Sequence, residues 1–157
     1  ETEIDEKKFR VDDAVAATQA ALSEGIVAGG GVTLVNLSSD IKADGADSVS
    51  AGRQILKNAL KQPFLQITKN AGLNSEALLA QVEASKPGFG VNVMKPEQGV
   101  VDVRKDGVID PVKVTKEAVQ NAVSIASTAA TMGALVVDIP EAEAPMGGGM
   151  PGGMGMM

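Results

Sequence analysis

Four places in the chain carry groups that could do chemistry. They are the paired aspartates Asp12 and Asp13 in FRVDDAVAATQAAL, the glycines of EGIVAGGGVTL, Asn92 in GVNV, and Asp110 in GVIDPVKV. The chain has neither Cys nor His. Cysteine nucleophiles, Ser-His triads, zinc sites and disulfides are therefore excluded. What is left is carboxylates, lysines, hydroxyls, backbone amides and any metal held by carboxylates. Each candidate also has an ordinary structural reading. Asp12 and Asp13 suit a cap or a dipole-favoured place in the first turns of a helix, Asp12 the better of the two. Asp110 suits an Asp-Pro turn, and Asn92 a simple turn. Gly29, Gly30 and Gly31 are costly to order. Either they form a loose linker, or something approaches the backbone too closely for a Cβ, as an anion does at a helix N-terminus.

The elements that must position these groups follow from patterning. Val11, Ala14, Val15, Thr18 and Leu22 predict an amphipathic helix over 8–24, stopped by Gly25. Residues 31–41 mix strand-like and helical spacing, and the helical spacing of Leu34, Leu37 and Ile41 is favoured. A long helical pattern over 48–71 has Ser48 as its cap, an interruption at Pro63 and an end at Gly72. Ser75 caps the next helix, closed by Lys86-Pro87-Gly88. Residues 89–109 turn Val-rich and read as a small β-hairpin or meander, with Asp106-Gly107 as its turn. A helix capped by Thr115 follows, carrying a small-residue stripe through Ala118, Ala122 and Ala126, and 134–139 reads as a strand. The Gly- and Met-rich end from Pro145 onward cannot bury enough side chain to offset ordering and is expected to be disordered. The fold class is thus mainly α, with a small β element.

Composition narrows the partners. Of 157 residues, 44% are hydrophobic and only 2% aromatic, so the core must be aliphatic and closely packed. A formal net charge of −6 argues against nucleic acid. No apolar run is long enough to span a bilayer, so no membrane partner is expected. The first residues, ETEIDEKK, have the character of neither a signal nor a transit peptide, and the lack of an initial Met suggests a fragment.

Three blocks resemble one family. KKFRVDDAVAATQAALSEGIVAGGGVTL, GVIDPVKVTKEAVQNAVSIAS and the Gly-Met tail look like the C-terminal part of a group I chaperonin subunit of the GroEL type. The resemblance implies an intermediate-domain segment of strand and helix over 1–24, a hinge at Gly25, the C-terminal half of the helical equatorial domain over 25–140, and a tail over 141–157. It implies that Asp13 is the catalytic aspartate that orients the attacking water, and that the backbone at Gly30 and Gly31 touches ATP. It implies that Asp110 accepts hydrogen bonds from the ribose hydroxyls, and that Asn92 and Val93 lie beside adenine. Val93 and Met94 stand where the family has small residues. The phosphate-binding loop and the Mg²⁺ ligand would lie on a preceding half not represented here, so no metal ligand is assigned.

The implied activity is that of an ATPase that encapsulates and refolds proteins. The implied partners are ATP or ADP, identical subunits in one or two heptameric rings, a co-chaperonin of the GroES type and unfolded clients. The location would be the bacterial cytoplasm or, alternatively, a mitochondrial or plastid matrix. Two other readings stay open: a non-enzymatic structural or assembly module, and a stand-alone nucleotide-binding module.

Overall fold

A computed structural model describes residues 1–138. Six α-helices and four short strands occur among them: α1 Thr2–Glu24, β1 Ile26–Ala28, α2 Val32–Asp40, α3 Ser48–Ala59, α4 Gln62–Asn70, α5 Ser75–Glu83, β2 Phe89–Val91, β3 Val100–Asp102, β4 Ile109–Pro111 and α6 Val112–Ala130. The fold is mainly α, as the aliphatic composition and helical spacings imply.

The helix boundaries follow capping chemistry. Asp47 caps α3 by accepting the Ser50 amide at 2.8 Å, and Asn74 caps α5 by accepting the Ala77 amide at 3.2 Å. In both Asp47-Ser48 and Asn74-Ser75 the cap is the first residue of the pair, one position earlier than expected. The long pattern over 48–71 divides at 60–61. Pro63 sits in the first turn of α4, where its missing N–H costs nothing. Thr115 caps nothing: it lies inside α6, and its hydroxyl donates back to the Pro111 carbonyl at 3.2 Å. Residues 1–24 contain no strand, because helix α1 begins at Thr2 rather than near residue 8.

The small hairpin expected within 89–109 is present as β2 and β3, but Asp106-Gly107 is not its turn. That dipeptide does make a turn, but the strands on either side of it pair elsewhere. β3 pairs antiparallel with β2, Gly90 opposite Val101. β4 pairs antiparallel with β1, Val27 opposite Asp110. The turn therefore links two two-stranded ribbons. Strand β1 was not expected; three apolar residues between glycines are too short to show a period of two.

The core lies between the ribbons and helices α2, α4 and α5. Val32, Val35, Phe64, Val82, Val91 and Val103 are its buried centre. Gly90 permits this packing, since a Cβ there would stand 2.1 Å from Cγ2 of Val32. Helices α1 and α6 contribute nothing to the core: neither buries a residue. Their apolar stripes are largely exposed, because no described element covers them. Residues 134–138 likewise form no strand, having no described partner strand; Val136 is 94% exposed. Residue 139 and the Gly-Met segment lie outside the described residues. No described helix is long and apolar enough to cross a membrane.

Candidate functional site

The glycine run sits at the junction of β1 and α2, and each glycine has its own reason. A Cβ on Gly29 would stand 3.0 Å from the backbone of Ile109 on β4. A Cβ on Gly31 would stand 2.8 Å from the amide nitrogen of Phe64, at a φ of +79°. At these two positions the close-approaching group is the chain itself. Gly30 differs. Its φ is +66°, but a Cβ there would meet only Cγ1 of Val108, at 3.6 Å. Of the three, Gly30 has the open face toward which a ligand could come.

Asp110 lies beside this turn. Strand pairing puts it opposite Val27, and it is half-buried. Burial pushes its carboxyl pKa above the ordinary aspartate value, and the backbone amide of Gly30 pulls in the opposite direction. The turn from β1 into α2 thus brings a glycine amide and a partly desolvated carboxylate to a helix N-terminus, where the Val32 amide is already taken by the Gly29 carbonyl at 3.2 Å. A carboxylate so placed can accept from vicinal hydroxyls, and the amides can meet an anion.

Asn92 is buried at the end of β2, and its amide is engaged at both ends. Nδ2 donates to an Asp106 carboxylate oxygen, and Oδ1 accepts the Met94 amide at 3.0 Å. Asp106 also takes Lys95 Nζ at 3.2 Å. Its pKa is lowered, first by the Asn92 hydrogen bond and then by Lys95. Val93 is half-buried and Met94 exposed in the turn that follows. The short separation of Asn92 from Met94 and Lys95 marks a turn in the sequence; the bond to Asp106 carries no such signal.

Asp13 is not brought to this site. It is exposed in mid-helix, twelve residues before Gly25, or about 18 Å along the axis of α1. Neither Asp12 nor Asp13 can be a cap, because the N-cap is Glu1, far from both. The connection between α1 and the rest is local. Gly25 takes a φ of +86°, its carbonyl accepts the Val112 amide at 3.1 Å, and Glu24 pairs with Lys116 on α6 at 2.6 Å. A Cβ at Gly25 would touch nothing within 4 Å, so its glycine is required by conformation alone. Among the described residues no group of three or more carboxylates gathers to hold a metal ion.

A sequence model of the TCP-1/cpn60 chaperonin family matches residues 1–140. The match covers most of the chain, including both ribbons and all six helices. The chain belongs to the TCP-1/cpn60 chaperonin family.

Proposed function

We propose that this segment supplies one side of the ATP pocket of a chaperonin and its hydrolytic carboxylate. The family membership supports a role in protein folding. The observation that carries the finer reading is the β1–β4 pairing, Val27 opposite Asp110 and the Gly29 amide on the Val108 carbonyl at 3.0 Å, which brings Asp110 beside the glycine turn before α2. Asp110 would receive the ribose hydroxyls, and the Gly30 backbone would face the nucleotide. Residues 92–94 would border the base. In this reading the Mg²⁺ ligands would lie on another part of the subunit.

Asp13 would act from α1. Its carboxylate would orient a water for in-line attack on the γ-phosphate, a reaction in which positioning and electrostatics dominate. Reaching the pocket requires α1 to rotate at Gly25. Gly25 suits a pivot because its side-chain space is empty and its conformation is open to glycine. The test is Asp110→Asn in a whole subunit carrying this segment. Mg-ATP affinity should fall about tenfold or more, the scale of a lost charge-assisted contact, while ring assembly persists. Unchanged affinity contradicts the assignment of Asp110.

A second reading has its own observation. An apolar groove of about 760 Å³ runs between α3 and α6, lined by Ile55, Leu56, Ala59, Ala122 and Ala126 among others. Exposed surface of this kind favours association. As a separate polypeptide the chain would then be a structural or assembly module without ATPase activity. Sedimentation of the 157-residue chain across a concentration range decides this; a strict monomer at all concentrations contradicts it.

A further inference from the structure

Alternate residues of the segment 106–110 touch the two turns that border the proposed nucleotide site. Asp106 holds the Asn92 amide and Lys95. The Val108 carbonyl accepts the Gly29 amide at 3.0 Å, and its Cγ1 flanks Gly30. Asp110 faces the Gly30 amide. One short segment therefore ties the turn after β2 to the glycine turn before α2.

The chemistry at Asp106 fixes an orientation. An ionised carboxylate only accepts, so the Asn92 side chain must turn its NH₂ to Asp106 and its carbonyl to the Met94 amide. With 7% of its surface exposed and both ends of its amide engaged, Asn92 is built into the fold. Met94, two residues on, is 84% exposed. We propose that Asp106 is a positioning residue for the base side of the nucleotide site: it clamps Asn92, so that the backbone and side chains of Val93 and Met94, rather than the Asn92 amide, meet adenine. This rests on the ATP-site reading above and adds to it a residue and a division of labour.

The test compares two probes on a whole subunit carrying this segment: Mg-ATP, and the Mg complex of ribose 5′-triphosphate, which lacks the base. Asp106→Ala should weaken Mg-ATP binding about tenfold, as expected for loss of one ordering hydrogen bond to a charged group. Binding of the base-less probe should not change. Asp106→Asn keeps an acceptor for Asn92 and should stay within about threefold of the parent. Asn92→Ala should match Asp106→Ala, and the double variant should be no worse than either.

Four results overturn the proposal. They are an Asp106→Ala protein with unchanged Mg-ATP affinity, equal weakening of both probes, an Asp106→Asn protein as impaired as Asp106→Ala, or Asn92→Ala costing far more than Asp106→Ala. Should Asp106→Ala fail to fold, Asn92→Ala carries the same test with the same two probes. Asp110→Asn separates the two claims, since it should weaken both probes. If it does and Asp106→Ala does not discriminate between them, this inference fails alone. If Asp110→Asn weakens neither, the ATP-site reading fails with it.

Discussion

Replacing Gly31 and Gly30 separately by Ala divides what the fold needs from what a ligand needs. Both have positive φ, +79° and +66°, so each Ala variant bears a left-handed backbone cost of about 1–2 kcal/mol. At Gly30 that is nearly the whole cost, because the nearest atom to the new Cβ is a Val108 methyl at 3.6 Å. At Gly31 the new Cβ would sit 2.8 and 2.9 Å from the amide nitrogen and Cα of Phe64. These are backbone atoms at the start of the α4 packing, and Phe64 is 1% exposed, so it cannot swing aside. Overpacking of this kind adds ~1–3 kcal/mol. Gly31→Ala should therefore be less stable than Gly30→Ala by about 2 kcal/mol. With an ordinary urea dependence this separates the two midpoints by about 1 M. The chain has no Trp or Tyr, so the assay is far-UV circular dichroism during urea unfolding. Equal midpoints, or Gly30→Ala the less stable of the two, would refute the reasoning that Gly31 serves packing and Gly30 has a free face.

Gly90→Ala should be at least as damaging as Gly31→Ala, since its Cβ would overlap Val32 Cγ2 in the buried core; thermal melting measures this, and a shift under about 2 °C contradicts it. Asp110 should give a pH signature. Its folded pKa is raised, so the stability it contributes is full below the ordinary aspartate pKa and is lost as pH rises through the raised value. Asp110→Asn should therefore melt above the parent at neutral pH and converge with it below about pH 4, while binding nucleotide worse; parallel melting curves across that range contradict the sign.

How much of this was legible in sequence depended on the range of each interaction. Local periodicity placed α2 to α6 within a few residues, because helical spacing is a property of neighbours. The capping errors at Ser48 and Ser75 came from adjacent residues of similar capping ability, where only backbone geometry chooses; Thr115 failed because α6 starts at Val112, directly after β4, with no side-chain cap on its N-cap Pro111. The hairpin within 89–109 was legible, but the place of Asp106-Gly107 in it was not. The dipeptide specifies a turn, but strand partners are set by contacts between β1 and β4 that are far apart in sequence. Of the site, Gly30 and Asp110 came from family resemblance, and the structure adds the physical cause of their neighbours. At Gly29 and Gly31 the backbones of Ile109 and Phe64 fill the missing side-chain space, a reason for glycine that no sequence pattern shows. The Asn92–Asp106 bond had no signature in the sequence at all.

Asp13, exposed on α1, is proposed as the carboxylate that drives hydrolysis from across the Gly25 pivot. Steady-state ATPase of Asp13→Ala and Asp12→Ala in a whole subunit carrying this segment tests it most directly. Both residues are exposed in mid-helix and neither caps, so neither substitution should alter folding or ring assembly. Asp13→Ala should lose about a hundredfold or more in turnover with Mg-ATP affinity nearly intact, and Asp12→Ala should stay within a few-fold of the parent. Retention of most turnover by Asp13→Ala, or its loss in Asp12→Ala instead, contradicts the claim.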